Sequence, residues 1–431
     1  MQNHKITLKH QPKDLLKHLL VLSEEFNVFC HLNSNNFTHD KYSKHDWIIA
    51  LGEVDNIAYN VGSRYSDISA FLSNNIHEWK FTYIAYDLKN QFENLHSNNI
   101  DYLDFYDMYI FVPKYIIKSK NNKVELIINS KVSKAESDNF INKINSKYNL
   151  ASNSNNPKLT FNHRISKAEY LKNISNIRND IKYGNIYEMN FCQEFYIENT
   201  EIKPLEVYNK LNKYSPSPFS AYFRENERFI MSASPERYIH KSNNRLISQP
   251  IKGTAKRSHS EQDNIMKQTL QNSIKERAEN IMIVDLVRND LSRINNSKNI
   301  RVEELCRIYS FPHVHQMIST ISAEIEEDSD FVNILESSFP MGSMTGAPKI
   351  KAMELIEKYE STKRGVFSGS VGYIDDKGDF DFSVIIRSLL YNSTNKYLSL
   401  STGGAITYLS DAEKEYEESL LKAQAIFDVF K

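Results

Sequence analysis

Acidic residues spaced one helical turn apart occur at two places in the sequence. Glu276 and Glu279 lie in the segment KERAENIMIVDLVRND, and Glu415, Glu418 and Lys422 lie near the C-terminus at positions i, i+3 and i+7. On a helix, such spacings place side chains on one face. Two carboxylate pairs that meet across a cleft could hold one Mg²⁺, a hard cation that takes few carboxylates and leaves positions open for water and substrate oxygens. The alternative is a solvated acidic face on each helix.

A lysine with nucleophilic potential lies in the segment SPERYIHKSNNRLISQPIKGTAKR. Lys252 stands between a proline and a glycine, and Lys256 and Arg257 follow closely. Nearby cations favour the neutral amine, so we expect them to make Lys252 a candidate nucleophile near neutral pH. The alternative is a basic surface turn. Glu236, in the same segment, is either a general acid or a carboxylate at the end of a strand, and nothing local decides between these.

Two glycine-containing turns could receive an anion. GSMTGAPK at 342–349 and STGGA at 401–405 could offer backbone N–H groups to a carboxylate, with Arg387 as a bidentate cation. Neither turn matches the phosphate loop or G-x-G-x-x-G, so the sequence lacks the usual signatures of a nucleotide site. It also contains no G-x-S-x-G or H-E-x-x-H motif.

The elements that must position these residues indicate an α+β fold. Residues 366–406 are predicted to form three strands of an antiparallel meander, VFSGSVGYI, DFSVIIRSLLY and YLSLSTGGAI. Ser410 and Glu413 form a capping-box pattern that predicts the start of the last helix. Long antiparallel strands mixed with amphipathic helices, without repeated strand-helix-strand units, predict large antiparallel sheets flanked by helices.

The polar segment NLASNSNNPK at 149–158 predicts a boundary between two regions. Residues 1–150 form a strand-rich N-terminal region with no interpretable motif. Residues 160–431 carry the candidate functional residues and are predicted to form the catalytic domain.

Composition limits the possible partners. The chain has 431 residues, 53 Lys+Arg against 54 Asp+Glu, and 40% hydrophobic positions, so it can bury a large core and carries no positive field for nucleic acid or anionic membranes. Its three separated cysteines suggest neither a disulfide framework nor a thiolate zinc site. No stretch reaches the roughly 18 apolar residues of a spanning helix, and no signal peptide is evident. We expect a cytoplasmic protein with no nucleic-acid or membrane partner.

Taken in order, these motifs resemble those of the chorismate-utilising enzymes, a family that includes anthranilate synthase and aminodeoxychorismate synthase chains. The match runs from about 181 to 424 and includes SPER, PIKGT, KERAENIMIVDLVRND, GSMTGAPKIKAMELI, RGVFSGSVGYI, DFSVIIRSLL and the EYEE of the last helix. So many ordered motifs favour function over the solvated-surface alternatives. The resemblance implies the family fold, bound Mg²⁺ and the substrate chorismate.

The resemblance also implies roles for individual residues. Glu279 and Glu418 match direct metal positions, while Glu276 and Glu415 match carboxylates that act mainly through metal-bound water. The residues expected to bind substrate are Gly253, Thr254, Arg387, Gly403, Gly404 and Lys422.

The assignment to a subfamily depends on the residue type at position 252, which is Lys252 in this chain. Anthranilate synthases typically have alanine there, whereas aminodeoxychorismate synthases typically have the lysine. In the mechanism proposed for that subfamily, the lysine amine attacks C2 of chorismate and expels the C4 hydroxyl. Ammonia then attacks C4, giving 4-amino-4-deoxychorismate, a precursor of p-aminobenzoate and folate. Glu236 matches the carboxylate expected to protonate the departing hydroxyl, and the chain is expected to be a transferase of the transaminase type.

No glutamine-hydrolysing motif surrounds any cysteine, so the resemblance implies a separate glutamine amidotransferase subunit as ammonia donor, in a heterodimer.

Four positions depart from the family pattern. Glu188 replaces an expected glutamine, Gln316 a histidine, Phe367 a common tyrosine and Ala405 a frequent glycine. Isochorismate-forming and salicylate-forming relatives use a lysine at the position aligned with Glu188, so those activities are disfavoured. Two alternatives remain open. They are anthranilate synthase component I and a catalytically inactive chorismate-binding subunit.

Overall fold

The computed structural model describes residues 3–37, 40–146, 159–258, 262–311, 314–326 and 329–430. The strands within these ranges are β1 (His4–Leu8), β2 (Val28–Asn33), β3 (Trp47–Tyr59), β4 (Lys80–Ile84), β5 (Met108–Lys120), β6 (Lys123–Ile128), β7 (Asn162–His163), β8 (Glu188–Ile197), β9 (Phe219–Glu225), β10 (Arg228–Ser234), β11 (Arg237–Ser242), β12 (Arg245–Gln249), β13 (Ile251–Lys256), β14 (Lys298–Ser310), β15 (Val314–Glu324), β16 (Gly346–Ala347), β17 (Ser370–Ile374), β18 (Phe380–Val384), β19 (Ser388–Asn392) and β20 (Tyr397–Ile406). The helices are α1 (Pro12–Leu22), α2 (Ser66–Asn74), α3 (Lys89–Phe92), α4 (Lys134–Asn145), α5 (Lys167–Lys182), α6 (Pro204–Tyr214), α7 (Gln262–Asn272), α8 (Ile274–Ser292), α9 (Phe331–Ser338), α10 (Lys349–Tyr359) and α11 (Ala412–Phe427).

The strands pair in two continuous antiparallel series that meet at β5. One series runs β6-β5-β3-β2-β9-β10-β19-β20-β8, and the other runs β5-β4-β17-β18-β11-β12-β15, where β13 and β14 also pair with β15. Helices flank these sheets, which confirms the predicted α+β fold. None of the helices in the described ranges is long and apolar enough to cross a membrane.

Alternating side chains of single strands enter two separate apolar clusters. On β2, Val28 and Cys30 pack into the cluster that contains Phe81 and Phe382, whereas Phe29 packs with Leu19 on the opposite side. Successive strand residues point to opposite faces, so one strand contributes to both cores. These two cores fix the sheet on which β8, β13 and β20 lie.

Strands from both predicted regions share this sheet. β2 pairs with β9, and β4 pairs with β17. The proposed boundary at 149–158 lies outside the described residues, and the division into 1–150 and 160–431 stays a prediction about chain organisation.

Residues 366–406 contain four strands in two separate hairpins, β17–β18 and β19–β20, so the prediction of a three-stranded antiparallel meander is wrong. The segment predicted as one strand, DFSVIIRSLLY, is divided into β18 and β19. Arg387 interrupts it with a φ of 53°, which a regular strand does not allow.

The last helix begins one residue later than the capping-box pattern predicts. Asp411 is the cap, and its side chain accepts a hydrogen bond from the backbone N–H of Lys414. Ser410 instead accepts from the N–H of Thr407. An aspartate cap stabilises a helix by about 1 kcal/mol and adds negative charge where the helix dipole is positive.

Candidate active site

The two acidic pairs lie on α8 and α11, in the first turns of each helix. Ser273 caps α8 by accepting a hydrogen bond from the N–H of Glu276 at 3.3 Å. Glu279 follows one turn later and is 7% exposed, and Glu415 on α11 is 4% exposed. The helical spacing inferred from the sequence therefore holds, and each helix buries one member of its pair.

The two acidic pairs lie close together, because Lys275 Nζ is within ion-pair distance of both Glu279 on α8 and Glu415 on α11. A Cβ placed on Gly253 would lie 3.0 Å from Glu276 Oε2, and one placed on Gly404 would lie 3.4 Å from Glu415 Oε2 and 3.7 Å from Glu418 Oε1. Burial is the main cause that raises the pKa of Glu276, and the negative charge of Glu418 adds to it. The structure thus brings together carboxylates that are about 140 residues apart in the chain.

Lys275 lies between the two pairs. Its Nζ is 3.3 Å from Glu415 Oε1 and 3.8 Å from Glu279 Oε1. Sequence reasoning missed this residue, although it precedes Glu276 directly and stands four positions before Glu279, the spacing of a helical ion pair.

Burial dominates the protonation of the carboxylates on α8. Burial raises the pKa of Glu279 to about 7, against the attraction of Lys252. Burial also raises the pKa of Glu276. Burial also tends to raise the pKa of the half-exposed Glu418. The positive charges of Lys422, which lies 2.6 Å away, and of further lysines outweigh this effect, so the pKa of Glu418 is lowered. The carboxylates of Glu276 and Glu279 are therefore protonated more readily than that of Glu418.

The donor set fits a hard divalent cation. Glu279 Oε1 and Glu188 Oε2 are buried oxygens without a hydrogen-bond partner in the described part of the chain, and buried polar atoms normally have one. In those same residue ranges, no three His, Cys, Asp or Glu side chains form a ready-made metal cage. Mg²⁺ does not need one, because it usually binds one or two carboxylates and retains water. The Mg²⁺ prediction stays a prediction.

Lys252 lies on β13 next to these carboxylates, with only 10% of its side chain exposed. Its Nζ is 3.3 Å from Oε1 of Glu188, which is 1% exposed. Burial lowers the pKa of Lys252, but the negative charges of Glu188, Glu279 and Glu236 outweigh it and raise the pKa. Lys252 is therefore an ammonium group among anions.

The expectation that neighbouring cations make the Lys252 amine neutral is wrong. Arg257 turns away and pairs with Asp263 at 2.8 Å, and Lys256 is exposed. The nearest charges come instead from Glu188 on β8, which is distant in sequence. A base must therefore remove a proton before Lys252 can act as a nucleophile.

Glu236 has the properties of an acid at neutral pH. It lies between β10 and β11, is 4% exposed, and burial raises its pKa to about 7. Ser343, the Lys252 charge and the Ile251 N–H oppose that shift. A carboxyl with this pKa is protonated in about half of the molecules at pH 7, so it can donate a proton. Ser343 belongs to the turn GSMTG, whose relation to Glu236 the sequence did not reveal.

Some of the predicted substrate-binding residues lie beside this cluster of carboxylates. Arg387 is half-buried, burial lowers its pKa and the Glu418 charge opposes this. Within the described ranges its guanidinium has no ion pair, so it can accept an anion. Lys422 is already engaged, since it donates to the carbonyl of Gly403 at 2.8 Å and pairs with Glu418.

The two glycines of β20 differ in what they face. Gly404 faces the Glu415 carboxylate and the Lys422 ammonium. A Cβ on Gly403 would meet the carbonyl oxygen of Phe191 on β8 at 2.0 Å, so this glycine is required by strand packing. Gly404 is therefore the better placed of the pair to meet a ligand.

The remaining predicted and divergent positions fall in three environments. Thr254 is exposed on β13 opposite the buried Gln316 on β15. Phe367 is 3% exposed and packs in an apolar core. Ala405 pairs with Asn190 on β8.

A family model and several known proteins match this chain. The family model described as chorismate binding enzyme matches residues 33–428. Aminodeoxychorismate synthase component 1 of Salmonella typhimurium is 39% identical over 244 residues, which are 56% of this chain and 53% of that protein. Anthranilate synthase component 1 of Aquifex aeolicus is 29% identical over 360 residues, 80% of this chain and 72% of that protein.

A solved structure shows the same fold. Anthranilate synthase component I from Streptococcus pneumoniae superposes with a TM-score of 0.78 at 25% identity, covering 88% of this chain and 91% of that one. The chain spans about half the length of the curated aminodeoxychorismate synthase component 1 proteins it matches.

Proposed function

Because this chain belongs to the chorismate binding enzyme family, we propose that it aminates chorismate to 4-amino-4-deoxychorismate. The observation that carries the proposal is the position of Lys252, whose amine lies 3.3 Å from Glu188 and within the electrostatic reach of Glu236 and Glu279. A nucleophile, a proton acceptor and a proton donor are thus close to one another.

We assign metal binding to the carboxylates of α8 and α11. Glu279 and Glu418 would hold Mg²⁺ directly, and Glu276 and Glu415 would act through its water. When bound, Mg²⁺ supplies positive charge that neutralises the carboxylate on the chorismate ring. Arg387 and the backbone N–H groups near Gly404 would bind the remaining negative charge of the substrate.

The reaction begins with proton transfer from Lys252 to Glu188, since the anionic surroundings keep the lysine charged. The free amine attacks C2 of chorismate and forms a C–N bond, the ring double bond shifts, and the C4–O bond breaks. Glu236 protonates the departing hydroxyl, which leaves as water. Ammonia then attacks C4, the double bond shifts back, and the C2–N bond to Lys252 breaks to release the enzyme amine.

Ammonia would come from a glutamine amidotransferase partner. The cysteines of this chain are Cys30, Cys192 and Cys306, and all three are buried. Burial raises the pKa of each thiol, which disfavours the thiolate that glutamine hydrolysis requires. We therefore expect slow turnover with ammonium salts and faster, glutamine-dependent turnover in the heterodimer.

Product analysis tests the proposal. Chorismate, Mg²⁺ and ammonium are incubated with the chain, with and without an aminodeoxychorismate lyase, and p-aminobenzoate should appear only when the lyase is present. The second candidate is anthranilate synthase, favoured by the match to the Aquifex aeolicus protein over 80% of this chain. Fluorescent anthranilate formed without the lyase would establish that candidate instead. Binding of chorismate with no product would indicate an inactive subunit.

A further inference from the structure

Lys275 supplies the ion pairs of both buried carboxylates at the interface of α8 and α11. Among the described side chains, Lys275 is the ion-pair partner of both Glu279 and Glu415. The other two lysines of the site have different partners, because Lys252 pairs with Glu188 and Lys422 pairs with Glu418. Lys275 is thus the cation that joins the acidic pair of α8 to that of α11.

The contacts of Lys275 are loose for such a position. Its distances of 3.3 and 3.8 Å exceed the 2.6 Å between Lys422 and Glu418, and 41% of its side chain is exposed. Glu279 Oε1 accepts no hydrogen bond from the described residues, although only 7% of Glu279 is exposed. A lysine on a flexible stem is strongly hydrated, so it can leave this position at low cost.

We propose that Lys275 is a displaceable counter-ion, which holds the two acidic pairs together in the metal-free protein and leaves when a divalent cation binds between them. This inference rests on the metal site of the proposed function. Lys275 touches neither reacting atom nor substrate in this scheme and is a positioning residue. Its charge makes the metal-free protein more stable and divalent-cation binding weaker.

Mn²⁺ binding to the full chain tests this, measured by electron paramagnetic resonance of the free ion, together with the thermal midpoint of the metal-free protein. Lys275→Gln should bind Mn²⁺ about tenfold more tightly than the unaltered chain, the order expected when two partly exposed ion pairs no longer compete. Its metal-free midpoint should fall, and saturating Mn²⁺ should remove that difference. Arg277→Gln, which removes a positive charge two residues further along α8, is the matched control and should leave both measurements unchanged.

Lys275→Arg keeps the charge and protects the test against a failure of the glutamine variant to fold. A guanidinium holds carboxylates with two parallel hydrogen bonds and is displaced less readily, so this variant should bind Mn²⁺ more weakly than the unaltered chain. If the unaltered chain binds Mn²⁺ and the glutamine variant binds it no more tightly, or the arginine variant binds it as tightly, the role of Lys275 is overturned. If the unaltered chain, Lys275→Gln and Lys275→Arg all bind no Mn²⁺, the metal site of the proposed function is wrong.

Discussion

Replacing Glu236 by glutamine should make the protein more stable at alkaline pH while reducing its activity. Burial raises the pKa of Glu236 from its ordinary value of 4.5 to about 7. Between these two values the folded state binds more protons than the unfolded state, so stability falls as the pH rises through that window. A shift of this size corresponds to about 3 kcal/mol at pH values above 7. The attraction to Lys252 is already contained in that net shift.

Urea unfolding followed by circular dichroism from pH 5 to pH 8.5 measures this effect directly. The stability of Glu236→Gln relative to the unaltered protein should rise with pH, from little difference near pH 5 to about 3 kcal/mol at pH 8. Glu354→Gln, on the exposed face of α10, is the control, because its side chain is 45% exposed and makes a surface ion pair with Lys351 that contributes little. A difference for Glu236→Gln that stays constant with pH would refute the assignment of Glu236 as a buried, raised-pKa carboxyl.

The same Glu236→Gln substitution that increases stability should reduce catalytic activity. A glutamine cannot donate the proton that the C4 hydroxyl needs to leave, so kcat should fall by about 10²- to 10⁴-fold. A variant that becomes more stable yet keeps full activity would show that Glu236 is buried without serving as the acid.

Five further substitutions, at four positions, test the site and the strand that lines it. Lys252→Ala should reduce turnover by at least about 10³-fold, and Lys252→Arg should not restore it, because a guanidinium remains protonated; normal product formation by the alanine variant would exclude covalent catalysis. Gly404→Ala should fold normally, since its nearest contact is 3.4 Å, but bind chorismate more weakly in a calorimetric titration. Gly403→Ala should lower the melting temperature strongly, because its Cβ would meet the Phe191 carbonyl at 2.0 Å, and an equally stable protein would contradict the strand packing described above. Arg387→Gln should raise the KM for chorismate by about 10- to 100-fold, as expected for loss of a charge-assisted hydrogen bond, and an unchanged KM would remove it from the binding site.

The sequence predicted those parts of the site that depend on helical periodicity. Glu276 and Glu279 share a face, as do Glu415 and Glu418, and this follows from spacing alone. That the two faces meet could be expected only from the family resemblance, because no local pattern reports contacts between helices about 140 residues apart.

The electrostatics of Lys252 could not be predicted from neighbours in the chain. The cations that follow it in sequence turn away, and the charge that controls it comes from Glu188 on β8. In the segment predicted as one strand, Arg387 interrupts a continuous apolar run because its φ is positive. The residue type gives no indication of this conformation. Both failures arise because tertiary contacts override local preference.

The assignment of Lys252 as the nucleophile can be tested most directly by intact-protein mass spectrometry. The chain is incubated with chorismate and Mg²⁺ in the absence of ammonia, quenched with acid, and digested to locate any modification. Our account predicts an added mass equal to chorismate less one water, confined to the peptide that carries Lys252 and removed when ammonium is added before quenching. Unmodified Lys252 in a preparation that still aminates chorismate would contradict it.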